Sequence, residues 1–289
     1  MAGVPVAEDA AAHCAQLLRQ TDRRRFLAAL FAPAAHRPAL LALYAANGEI
    51  ARVREVAHEP LPGELRLQWW REVLGGGRAE EARAHPVAAA LLDTRDRYRL
   101  PPQPLLDLVD AHAFDLYDEP FATSAELEEY LRRTSSAIFQ LAAQILAPIS
   151  ALDAAQFSFH AGIAYGMTDL LRALPRHASR RQMYIPLEVL RDRHASREDV
   201  FAGQATAELR AALGDMRAQA HKHLAAARQA LQAAPSAVLP AFLPLAVVKP
   251  QLRHMERRED DPFEPRDLPA WRQQWILWRA SRRGPAMLA

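Results

Sequence analysis

The chain has 289 residues, half of them apolar, 24% charged and 7% aromatic, a balance that fits a folded globular protein and excludes disordered and fibrous classes. Its 36 Lys and Arg against 34 Asp and Glu leave a net charge of +2, too small to mark a nucleic-acid binder. A single cysteine, Cys14, excludes an internal disulfide and a cysteine-built zinc site, and no apolar run approaches the roughly 18 residues that a bilayer span needs.

In chain order, residues 1–20 read as an N-terminal tail: Met1–Cys14 shows no basic start followed by an apolar core, so no secretory signal is expected and the cytoplasm, or a membrane surface facing it, is the expected location. From there apolar residues recur at three and four spacing, Ala, Leu, Arg, Glu and Gln dominate, and prolines cut the chain into helix-sized pieces. The pattern predicts helices near 22–32, 36–58, 63–74, 86–98, 102–117, 124–147, 151–174, 186–193, 204–233, 236–257 and 266–281. Strand signals are nearly absent, and Asn47-Gly48 lies inside a helical pattern rather than in a hairpin. Thr123 followed by Glu126, and Ser196 followed by Asp199, look like helix caps; Gly75-Gly76-Gly77 looks like a mobile turn. Glu259-Asp260-Asp261-Pro262 reads as a linker. The expectation is one all-α bundle over 21–261 and a Trp/Arg-rich appendage over 262–289.

Two segments carry the chemistry. The first is Leu43-Tyr44-Ala45-Ala46-Asn47-Gly48-Glu49-Ile50-Ala51-Arg52-Val53-Arg54-Glu55, running on to Leu65-Arg66-Leu67-Gln68-Trp69-Trp70-Arg71. The second is Asp169-Leu170-Leu171-Arg172-Ala173-Leu174-Pro175-Arg176-His177-Ala178-Ser179-Arg180-Arg181-Gln182-Met183-Tyr184-Ile185-Pro186. Together, over roughly residues 22–260, they resemble the squalene/phytoene synthase family. The resemblance implies a single-domain all-α isoprenoid-synthase fold, in which two aspartate-rich helical segments face each other and hold magnesium ions that grip prenyl diphosphates. That chemistry needs hard oxygen ligands for the metal and a dry apolar cavity for a carbocation.

The family's first motif has three aspartates, and those positions fall here on Ala51, Arg52 and Glu55. In the second motif the three acids fall on Ala173, Arg176 and His177, while the trailing Tyr184, Ile185 and Pro186 match. One carboxylate of six survives, and the region is net positive, which repels a divalent cation. Glu49 and Asp169 lie nearby, but Asp169 stands where the family usually carries Asn. The ligand-binding candidates are therefore Tyr44, Glu49, Arg52, Glu55, Asp169, Arg172, Arg176, Arg180, Arg181 and Tyr184, with no metal assigned. Arg52 and Glu55 are three apart and suited to pair, as are Asp169 and Arg172, so that arginines stand in for the magnesium ions as internal counter-charges. Leu65–Arg71 and Leu171–Arg181 further resemble a divergent branch of the family, the assembly factors of respiratory complex I, which implies complex I subunits or assembly intermediates as partners at the inner membrane and an isoprenoid or other lipid as a ligand. The preferred reading is a fold kept for binding, without catalysis and without a cofactor. The alternatives are a prenyltransferase whose arginines cradle the diphosphates, with Mg²⁺ required only there, and a membrane-surface lipid carrier.

The remaining candidates have plainer readings. Trp69 and Trp70 point in different directions on one helix, one toward a cavity or core; Phe139, Phe157, Tyr165 and Met167 are expected in the core or lining a cavity. His221 and His223 make a poor chelate and read as a solvated face, and His13, His36, His58, His85, His112, His160, His194 and His254 show no ligand spacing. Glu256–Asp261 reads as an exposed charged helix end. Trp271, Trp275 and Trp278 share a helix face among Arg272, Arg279, Arg282 and Arg283, a pattern that suits either a membrane interface or a cap on the bundle.

Overall fold

Helix caps and prolines set the element boundaries. The computed structural model describes residues 4–57, 59–117, 119–256, 261–264 and 267–284, and among these there are helices and turns but no strand. The first half comprises α1 (Val4–Thr21), α2 (Arg23–Ala29), α3 (Arg37–Ala51), α4 (Val53–Val56), α5 (Pro60–Leu74), α6 (Ala79–Ala84), α7 (Pro86–Tyr98), α8 (Gln103–His112), α9 (Ser124–Leu131) and α10 (Ala137–Leu146). The second comprises α11 (Ala151–Arg172), α12 (Leu174–Ser179), α13 (Leu187–Asp192), α14 (Arg197–Phe201), α15 (Ala207–Leu231), α16 (Leu239–Phe242), α17 (Val248–Met255) and α18 (Ala270–Ser281). Thr123 caps α9 through the amide of Glu126, and Ser196 with Asp199 closes a reciprocal capping box on α14.

The core is organised around α11. It packs on α10 and α15, and Phe139 of α10 meets Tyr165 of α11 edge-on and Phe242 of α16 in a stack, with ring centroids 5.6 Å apart in both cases. On the far side α3 runs between α1, α7 and α10, burying Leu40, Leu43 and Ile50. Phe139, Phe157, Tyr165 and Met167 are all buried, as is Trp70, while Trp69 keeps part of its ring in solvent and donates its indole N–H to Glu81.

Four departures from the sequence reading have physical causes. Residues 4–20, expected as a tail, belong to α1, whose Ala10, Cys14 and Leu18 are buried at four-residue spacing against α3 and α7; two of the three are small, which makes the apolar stripe easy to overlook. The helix expected over 36–58 stops at Arg52, whose backbone (φ −96°, ψ 6°) breaks the ladder before α4; its predicted last residue, His58, lies outside the described residues. The helix expected over 124–147 carries a π-helical turn at Arg132–Ser136, and the one expected over 236–257 is cut by Pro240 and Pro244 into short turns before α17. Most of the predicted linker and charged helix end, residues 257–260, is outside the described residues, as is 266, the predicted start of the last helix.

Candidate functional site

The two chemistry-bearing segments meet where α3 passes into α4 and α11 into α12. Arg52 at the break lets α4 turn so that Glu55 faces the second segment. One carboxylate oxygen of Glu55 accepts from Arg52 Nε at 3.0 Å, and the other lies 3.3 Å from Arg176 Nη1 and 3.3 Å from Arg180 Nη1. Burial opposes ionisation of Glu55, but the Arg176 guanidinium, the Arg52 hydrogen bond and Arg180 outweigh it and hold the carboxyl below the usual range. The cations themselves are about half exposed, so the cluster opens to solvent on its arginine side.

Asp169 sits in a second, separate network. Its Oδ1 accepts from Arg172 Nε at 3.2 Å and from Arg24 Nη1 at 3.1 Å. Arg24, buried on α2, also donates to Gln251 of α17, to Asp267 in the segment before α18, and to Gln273 of α18, at 3.2, 3.1 and 3.0 Å. Arg172 reaches Asp267 as well, at 3.3 Å. Burial works against the Asp169 charge, yet Arg172, Arg24 and Arg25 overcome it and keep the carboxyl depressed. Both sequence-expected pairs, Arg52–Glu55 and Asp169–Arg172, therefore form, and both acids are turned toward arginines.

A third group was invisible in the sequence. The buried Asp115, in the turn after α8, accepts from the Tyr184 hydroxyl at 2.7 Å and from the Tyr130 hydroxyl at 3.0 Å, with His112 Nδ1 2.6 Å away. Burial first, then the Asp115 charge, pushes both phenols well up, so they remain donors. Gln182 donates to the Asp115 carbonyl, and the His177 ring lies against Tyr184 with centroids 4.7 Å apart. Burial and the neighbouring Arg176 push His177 down to about 4, so it is neutral at physiological pH.

The predicted site residues thus separate. Tyr44 is in the core, where Arg25 of α2 lies between its ring and that of Tyr165, 5.6 and 5.1 Å from the centroids. Glu49 lines a different pocket of about 390 Å³ with Arg52, Val53, Arg66, Trp69, Trp70, His85 and residues of α1; burial pushes its carboxyl up to about 7, and His85 Nε2 is 3.6 Å away. The arginines do not form one cradle: Arg172 belongs to the Asp169 network, and Arg181, with φ +57°, lies over Phe201. Ala51 is half-buried and Ala173 buried, neither offering a ligand. The histidine pair on α15 also splits: His221 reaches Glu256 at the surface, whereas His223, expected in solvent, is buried against His160 and Glu128. A histidine's own helix does not show what packs over it, which is why spacing failed there. Arg24, Arg25 and Asp115 were missed for the same reason: nothing in their own helices shows the partners that pack over them.

Three arginines around one carboxylate, and alanine, arginine and histidine at the other motif positions, do not suit a hard divalent cation, which needs several converging oxygen ligands. What the arrangement can do is bind anions at the exposed arginines and lock segments together through buried charge.

The α-helical architecture and the paired segments define an isoprenoid-synthase-type protein. The chain belongs to the squalene/phytoene synthase family, whose model matches residues 18–279. It is 31% identical over 263 residues to the rat (Rattus norvegicus) NADH dehydrogenase (ubiquinone) complex I, assembly factor 6, covering 91% of this chain and 78% of that one. It is 25% identical over 279 residues to the 15-cis-phytoene synthase of Synechococcus elongatus, covering 90% and 88% of the two chains. A dehydrosqualene synthase crystal structure superposes with a TM-score of 0.84 at 16% identity, covering 96% of each chain, and shares its fold.

Proposed function

We propose that this chain is a non-catalytic member of its family that acts in the assembly of respiratory complex I at the inner membrane, binding a lipid or a protein partner rather than turning over a substrate. The observation that carries this is the Glu55 cluster: the last acid of the first motif is held by Arg52, Arg176 and Arg180, two of which come from the second motif segment. A carboxylate so engaged is not available to a metal, and the cations that hold it lie where a synthase would present metal ligands. Similarity to the rat assembly factor, higher than to the phytoene synthase, supports the same reading.

The second reading, a prenyltransferase condensing two prenyl diphosphates, draws on the same convergence, since guanidinium groups bind phosphate oxygens bidentately and those of Arg52, Arg176 and Arg180 are open to solvent. Incubating the purified chain with farnesyl or geranylgeranyl diphosphate, with and without Mg²⁺, separates the two. No release of pyrophosphate and no condensed product is expected; formation of either product would overturn the non-catalytic reading. Deleting the gene in its own host should lower the amount of assembled complex I on native gels, and unchanged assembly would remove the assembly role.

A further inference from the structure

Helix α18 is held by one face and leaves another bare. Leu277 and Ala280 are buried and Leu268 anchors the segment before it, while Trp271, Trp275 and Trp278 stay 69%, 55% and 40% exposed in a row along the outer face. Trp275 and Trp278 stack at 4.9 Å, and Arg282 covers Trp278 at 4.5 Å from its ring centroid. Three exposed tryptophans are costly in water, and their amphipathic rings favour the boundary between water and lipid.

Beside this row lies a pocket of about 290 Å³ between α17 and α18. Lys249 and Arg253, one turn apart on α17, face Arg279 of α18 and Arg283 just past its C-terminal end. The floor is apolar, made by Leu224, Leu245 and Ile276, and no carboxylate lines the pocket. Among the described residues none of these four cations has a carboxylate within ion-pair distance, whereas Arg52, Arg172, Arg176 and Arg180 of the motif segments each have one. Four like charges gathered round one concavity repel one another. An anion in the pocket removes that repulsion, and Trp275 at its rim joins it to the tryptophan row.

We infer that the pocket of Lys249, Arg253, Arg279 and Arg283 takes the phosphate of an anionic phospholipid head group, with Trp271, Trp275 and Trp278 entering the bilayer interface around it. The inference deepens the membrane-surface part of the proposed function and rests on it only for the choice of a bilayer as the source of the phosphate. No described helix is long and apolar enough to cross a membrane, so this is a docking face on which the chain lies.

The test is flotation of the full chain with phosphatidylcholine vesicles, with and without a minority of phosphatidylglycerol or cardiolipin. The chain is expected to float with the anionic vesicles and to stay in solution with the neutral ones. The pair Arg253→Ala with Arg283→Ala removes two exposed side chains that hold no described contact, and should weaken binding roughly tenfold or more, as losing two cations near an anionic surface does. Trp271→Ser, on the most exposed of the three rings, should reduce flotation while leaving the melting temperature unchanged. Equal flotation with neutral and anionic vesicles, no flotation at all, wild-type flotation by the arginine pair, or displacement by inorganic phosphate at concentrations that leave ionic strength unchanged would each overturn the inference, the last by assigning the pocket to a soluble anion. Because purified protein and lipid suffice, failure here leaves the complex I assembly measurement untouched, and failure there leaves lipid binding untouched.

Discussion

Glu55 is an ion-pair acceptor, held by Arg52, Arg176 and Arg180. Because its pKa is lowered in the folded chain, its contribution to stability is complete above the unfolded glutamate value of about 4.3 and fades as pH falls through the folded one. Glu49 works with the opposite sign. Burial raises it to about 7, so the folded chain binds a proton that the unfolded chain has already released, and stability drops as pH rises from about 4.3 to 7. Glu49→Gln should therefore flatten the fall in melting temperature between those pH values; an unchanged slope would show that His85 or solvent already compensates the charge. At Asp115, Tyr184→Phe deletes one of the donors to a buried carboxylate and should lower stability by roughly 1.5–3 kcal/mol in urea melts, whereas the exposed Tyr117→Phe should cost less than about 0.5 kcal/mol.

At the scale of elements, α11 is legible in the sequence as a long helix, but what lets it sit at the centre is small size at two positions. A Cβ on Gly162 would come within 2.2 Å of the Ser136 backbone, and one on Gly166 within 2.6 Å of Leu131 and Ser135. The π-helical turn of Arg132–Ser136 is thus the surface that α11 fits, and backbone, unlike a side-chain end, cannot yield cheaply. Gly162→Ala should destabilise the chain by roughly 1–3 kcal/mol or more. Gly214→Ala, on an open stretch of α15 whose nearest neighbour would be an Arg217 side-chain nitrogen at 3.6 Å, should be neutral or stabilising by up to about 1 kcal/mol. Equal melting temperatures for the two variants would contradict this packing. Periodicity identified α11 because it is local; the glycines' partners lie on another element, so their role was not.

Across the whole molecule, Arg24 connects parts of the chain that are far apart in sequence. Its partner Asp169 is 145 residues away and Gln273 249 residues away, so α2, α11, α17 and the segment leading into α18 meet on one guanidinium. Arg24→Ala should cost about 2–3 kcal/mol, somewhat below a fully buried pair because Asp267 is 56% exposed, and should also make the C-terminal segment easier to cleave in limited proteolysis. Arg23→Ala, next along the chain but with no described partner, is the control; identical cleavage rates for the two would mean that apolar packing of Leu268 and Leu277 alone holds α18. The appendage thus both caps the bundle and presents its tryptophans outward, so the two alternatives left open by the spacing of Trp271, Trp275 and Trp278 are not exclusive.

The sequence by itself determined the helical class, the positions of many helices after the first, α11 and α15 among them, the caps at Thr123 and Ser196, and the two pairs three residues apart, Arg52–Glu55 and Asp169–Arg172. All of these are written in local spacing, and helical geometry converts spacing of three or four directly into contact. Tertiary structure alone decided that Arg176 and Arg180 cross to Glu55, that Arg24 holds Asp169, that Asp115 gathers Tyr130 and Tyr184, and that Lys249, Arg253, Arg279 and Arg283 stand round one pocket. Those contacts join residues whose separation along the chain says nothing of their separation in space, and they exist only once the apolar faces have packed and fixed which helix lies beside which.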